Sequence, residues 1–130
     1  MSLFGLFGTK GSSDKKEVKQ LPWQKLTSVD QLDSIVEESK VTPVAIFKHS
    51  TRCGISSMVM RQFERAYDLD MDQMKLYYLD LLAFRKVSDE VSNNFQVLHQ
   101  SPQLIVVKNG EAVAHSSHHG INASELHNFI

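Results

Sequence analysis

The sequence predicts an α/β domain, a central mixed β-sheet flanked by helices. Short continuous apolar runs, "VTPVAIF", "KLYYLDLL" and "QLIVV", alternate with stretches whose apolar residues recur every three or four positions. Asn109-Gly110 separates "QLIVV" from "EAVAHS", the strongest short hairpin signal available to a sequence. The 130 residues are 42% apolar and 22% charged, an ordinary globular composition and enough chain for one core.

The elements follow in order. Residues 1–20 are read as a flexible N-terminal tail and residues 21–130 as the folded domain. "MSLFGLFG" is apolar but lacks a basic n-region and is too short for a signal segment, so no stable membrane association is expected. Trp23 to Leu26 suits an edge strand. Thr27 or Ser28 can cap a helix carrying Val29, Leu32, Ile35 and Val36. "VTPVAIF" is β-branched, and Pro43 stands at its start, where a missing N–H does least harm; its unbroken apolarity suits a central strand. A helix should begin near Cys53, with Ile55, Met58, Val59, Phe63 and Ala66 or Tyr67 as its stripe. "KLYYLDLL" is a second buried strand. Phe84, Val87, Val91 and Phe95 mark another helix. "QLIVV" and "EAVAHS" form the antiparallel hairpin. A final helix is expected in "NASELHNFI", with Asn122 and Glu125 at capping-box spacing. The order is β-α-β-α-β-α-β-β-α, its first three strands parallel through helical crossovers.

Bulk charge removes some functions. The 14 basic and 15 acidic residues nearly cancel and form no polybasic block, so no nucleic-acid partner is expected. The single cysteine excludes a disulfide scaffold and suggests a reducing, cytoplasmic setting.

That cysteine carries the chemistry. Cys53 follows a buried strand by a short loop and opens a helix. Unpaired N–H groups and the helix dipole favour negative charge there, hence thiolate over thiol. Arg52 is adjacent, and Lys48 and His49 lie a few residues back; each adds positive potential if it faces the sulfur. A thiolate gained this way is also a weaker nucleophile, so attack changes little. The larger gain is a good leaving group when a second thiol attacks. Ser56, one turn on, is placed to donate a hydrogen bond to the thiolate. It cannot supply a resolving thiol, so any covalent intermediate must be resolved from outside. The alternative is an inert buried cysteine. His115, His118 and His119 in "HSSHHG" lack a geometry that aims them together, so no metal site is assigned.

Cys53-Gly54-Ile55-Ser56 at a helix start, a βαβ unit, and a later polar-Pro-strand-hairpin-helix together resemble the thioredoxin-fold pattern. Over residues 22–130 the chain is similar to the YtxJ-like monothiol bacilliredoxins. The residues that carry the resemblance are Phe47, Lys48, His49, Ser50, Thr51, Cys53, Ile55 and Ser56, then Asp80, Arg85, Val87 and Ser88, then His99, Ser101, Pro102 and Gln103. The resemblance implies a thioredoxin-like fold with Pro102 in cis opposite the cysteine, and substrate pairing along the backbone of Ser101. It also implies that His119 and Gly120 line the thiol pocket.

The implied activity is that of a monothiol disulfide oxidoreductase that removes bacillithiol from protein mixed disulfides through a Cys53–bacillithiol intermediate. Its partners would be bacillithiolated proteins and a low-molecular-weight thiol. Bacillithiol is then a co-substrate, and no tightly bound cofactor is implied. Gly54 departs from the proline usual there. Arg52 replaces the tryptophan of thioredoxins, and Phe47 the buried aspartate that assists intramolecular resolution. Two other functions stay open. Monothiol glutaredoxins, which carry iron–sulfur clusters, have C-G-F-S, one residue from C-G-I-S. A non-catalytic thioredoxin-like interaction module is the other.

Overall fold

A computed structural model describes residues 21–130; the tail expected over residues 1–20 lies outside the described residues. Among the described residues, five strands form one sheet: β1 (Trp23–Lys25), β2 (Val44–His49), β3 (Lys75–Asp80), β4 (Gln103–Lys108) and β5 (Glu111–Ser117). Their spatial order is β1-β3-β2-β4-β5. The first three strands run parallel, and β4 and β5 are antiparallel additions. Strand β2 lies at the centre with all six residues buried, as an unbroken apolar run demands.

The helices are α1 (Asp30–Glu38), α2 (Gly54–Ala66) and α3 (Arg85–Phe95). Side chains alternate across β2, so the sheet carries a core on each face. Val44 and Ile46 pack with Leu32 and Ile35 of α1 and with Val87, Val91 and Phe95 of α3. Ala45 and Phe47 pack with Val59 and Phe63 of α2 and with Ala123 and Leu126 near the C-terminus. The rings of Phe47 and Phe63 meet edge-on at 5.3 Å, and Trp23 closes over both.

Three expectations change in detail. Helix α1 has Val29 at its N-cap with no side-chain cap. The Gln31 side chain reaches back instead and accepts from the N–H groups of Thr27 and Ser28, at 2.7 and 3.0 Å. The buried stripe of α2 is Ser56, Val59 and Phe63, continued by buried Tyr67, whereas Ile55 and Met58 are exposed. A serine opening the stripe moved its phase by one position. The final helix is 3-10, Ala123–Phe129. Asn122 Oδ1 accepts from the N–H and hydroxyl of Ser124, and Glu125 N donates to the backbone Asn122 O at 3.1 Å in place of the side chain. Buried Ala123 and Leu126 and half-buried Phe129 are spaced by three, which aligns them on a helix of three residues per turn.

At the hairpin both turn residues have positive φ, 55° at Asn109 and 82° at Gly110. The turn docks on the end of α1, where Gly110 N donates to Ser39 Oγ at 2.8 Å and Asn109 N to Ser39 O at 2.8 Å. A Cβ on Gly110 would stand 3.3 Å from Val36 Cγ1. Replacement Gly110→Ala is expected to lower stability by about 1 kcal/mol in urea unfolding, because alanine resists this φ and must displace Val36. An unchanged midpoint would contradict the assigned turn.

Candidate functional site

Strand register gathers the chemistry at one end of the sheet. Lys48 pairs with Gln103, His49 with Asp80, and Gln103 with Ser117. The segments leaving this row are Ser50–Cys53 into α2, the loop after β3, the 96–102 loop before β4, and the 3-10 turn His118–Gly120. That turn packs on α2.

Cys53 is the N-cap of α2, half-buried and in extended backbone at φ −105° and ψ 120°. The bond from Ser57 N to Cys53 O begins the helical ladder, so the N–H groups of residues 54–56 precede it. Among the described residues none hydrogen-bonds the sulfur. Arg52 is exposed and without an ion pair among them, and with Thr51, Asp80, Leu82 and Ala83 it lines an open cleft of about 460 Å³. Asp80 Oδ1 accepts from Leu82 N and Ala83 N, which shapes that cleft's far wall.

Ser56 is fully buried, and its hydroxyl is engaged away from the sulfur. It accepts from Ser50 N at 3.1 Å and bonds His49 Nδ1 at 2.7 Å. The expected bond to Cys53 is not formed. Instead the serine braces the loop that delivers the cysteine. Burial lowers the His49 pKa, while Asp80 and Glu64 pull it upward.

Lys48 also departs from expectation. On a strand, consecutive side chains point to opposite faces. His49 faces α2, so Lys48 faces α3. Its fully buried ammonium donates to Ser88 O at 3.2 Å, Ser92 Oγ at 3.0 Å and His99 Nδ1 at 3.1 Å. Those bonds use its three N–H groups and leave none for the thiol. Burial lowers its pKa to about 8, Asp89 opposing.

The Ser101–Pro102 peptide is cis, and Pro102 is buried. Pro102 O accepts from His118 N at 3.0 Å, tying the proline loop to the turn that holds Gly120. Ser101 has no backbone hydrogen bond among the described residues, and its hydroxyl is buried without a partner. Gln103, to which the sequence reading gave no role, is also buried. Its side chain donates to Leu98 O at 2.9 Å and accepts from Gln100 N at 3.3 Å. The available signal was a glutamine entering an otherwise apolar strand. His118, His119 and Gly120 are exposed. Among the described residues, no three histidine, cysteine or acidic side chains are placed to hold a metal. No helix among them is long and apolar enough to cross a membrane.

The sheet order, the two helical layers and a thiol at the start of the helix after the central strand define a thioredoxin-fold protein. The profile of the monothiol bacilliredoxin BrxC family matches residues 24–126, and the chain belongs to that family. A solved structure described as a candidate oxidoreductase with a thioredoxin fold is 35% identical, with a TM-score of 0.68; 82% of this chain and 91% of that one are covered. Thioredoxin of Malassezia sympodialis is 23% identical over 85% of this chain and 90% of its own, at a TM-score of 0.64. Fasciola hepatica thioredoxin is 17% identical over 81% and 93%, at 0.61, a likeness of fold alone. Family and fold assign thiol redox chemistry to the chain.

The placement of Lys48 has a measurable consequence. Unfolded, the amine titrates near 10.5; folded, near 8. Between those values the unfolded state binds more protons, so stability rises with pH. Wild type is therefore expected to gain stability relative to Lys48→Met from pH 8 to pH 10.5 in parallel urea titrations. A difference that stays flat, or shrinks, would mean that the ammonium is not buried as described.

Proposed function

We propose that the protein removes bacillithiol from protein mixed disulfides. The observation that carries this reading is the state of Cys53. It is the chain's sole thiol, half-buried at a helix start, with no hydrogen bond from a side chain among the described residues. Any disulfide it makes is made with a thiol from outside the chain.

The thiolate of Cys53 attacks the bacillithiol sulfur of the mixed disulfide. The old S–S bond breaks, the protein partner leaves as a thiolate and takes a proton from water, and Cys53–S–S–bacillithiol remains. A second low-molecular-weight thiol, as its thiolate, then attacks the bacillithiol sulfur and expels Cys53. Electrons balance, because one disulfide is consumed and one formed at each step. The N–H groups at the start of α2 and the exposed Arg52 stabilise Cys53 as the departing thiolate. The hydroxyl of Ser56 contributes by holding the loop. The unpaired backbone of Ser101 offers an extended partner a strand-like edge beside Pro102. Exposed Ile55 and Met58 supply apolar contact for a protein substrate. Gly120, in the turn bonded to the proline loop, borders the low-molecular-weight thiol. Such chemistry suits a reducing cytoplasm.

Intact-mass spectrometry after incubation with oxidised bacillithiol, and separately with oxidised glutathione, tests the assignment. One adduct, on Cys53 and with bacillithiol, is expected, and Cys53→Ser should abolish both the adduct and release of protein thiol from a bacillithiolated substrate. An adduct with glutathione alone, or continued release by Cys53→Ser, would overturn it.

A further inference from the structure

Resting on the exchange reaction proposed above, a second inference concerns how the proline loop is held. Lys48 and Gln103 are cross-strand partners in the antiparallel β2–β4 pair, so their side chains stand side by side on one sheet face. Both are buried, and both reach the same loop. Gln103 holds it at Leu98 and Gln100; Lys48 holds it at His99. Only Ser101 and Pro102 lie between these holds and the start of β4.

Counting donors assigns the proton on His99. A charged ammonium has three N–H groups and no lone pair, and here it faces three acceptors. The Nδ1 of His99 must therefore present its lone pair, which leaves the ring neutral with its proton on Nε2. A protonated ring would carry N–H at Nδ1 and confront the ammonium at 3.1 Å, so that bond cannot survive. Three charged groups face the ring: Lys48 from β2, and Arg85 and Asp89 from α3. Burial, Lys48 and Arg85 lower its pKa from 6.5, and Asp89 acts against them. An open cleft of about 530 Å³, lined by Ser92, Asn93, Gln96 and His99 among others, gives water access to the ring.

We propose that Lys48 and Gln103 are positioning residues, a clamp that sets the 96–102 loop for protein partners and that opens when His99 is protonated. The clamp acts on docking and leaves the sulfur's own reactivity alone. The sign follows. His99 is neutral and the clamp closed at neutral pH; the clamp is lost as pH falls through the His99 pKa, which is lowered from its ordinary value.

The test compares two rates over pH: exchange with a bacillithiolated protein, and alkylation of Cys53 by iodoacetamide. Both need the thiolate, so their ratio cancels its fraction. In wild type the ratio should hold steady near neutrality and fall about tenfold in acid, a modest cost for a displaced binding loop. In His99→Asn, whose Oδ1 replaces Nδ1 without titrating, the ratio should stay flat with pH. In Lys48→Met it should be about tenfold low already at pH 7, with alkylation unchanged. Nitrogen-15 NMR of wild type at pH 7 should show the Nε2–H tautomer of His99. A proton on Nδ1, an acid fall retained in His99→Asn, or a folded Lys48→Met with a normal ratio would overturn the clamp. Absence of exchange in wild type would instead overturn the proposed function, and the tautomer measurement, which needs no substrate, would still decide the clamp.

Discussion

A lysine ammonium with no solvent exposure stands near the end of the central strand, and its need for acceptors organises the surrounding structure. An unpaired buried cation is costly by several kcal/mol, so Lys48 must find oxygen or nitrogen lone pairs. It takes them from two consecutive turns of α3 and from His99. One side chain thus joins β2 to α3 and to the loop ahead of Pro102. Its neighbour His49, forced to the opposite face, joins the same strand to Ser56 and so to α2. Two adjacent residues of one strand fix the elements on both sides of the sheet end.

The thiol sits between these braces and shares in neither. Ser50, Ser56 and His49 satisfy one another beneath it. The ammonium is committed on the other face. Cys53 is left half-buried at a helix terminus, with the exposed Arg52 next to it in sequence. Such a site can accept a sulfur partner and let it go, and nothing in the chain can complete an internal disulfide. The rigidity lies in the support, and the reactive atom is presented by it.

Most of this architecture is legible in the residues. The central strand follows from "VTPVAIF", the turn from Asn109-Gly110, and the α3 stripe from Val87, Val91 and Phe95. The fate of Lys48 was not, because a lysine five residues before the cysteine reads as a charge near the sulfur. Extending the strand through His49 separates the two, since neighbours on a strand cannot face the same way. The phase of α2 was missed for a related reason. Its buried face opens on Ser56, a polar residue that belongs inside only because His49 and Ser50 N are there to bond it. Likewise Gln103 reads as a strand residue of no special kind until the loop it holds is seen. Burial of a polar group depends on partners distant in sequence, and no local pattern announces them.

The central claim is that Cys53 works without a resolving thiol of its own. Protein isolated as the Cys53–bacillithiol mixed disulfide can be followed by intact mass, with and without added free thiol. The account predicts that the adduct persists in the absence of thiol and decays at a rate proportional to the thiol supplied. Decay at the same rate with no thiol present would contradict it.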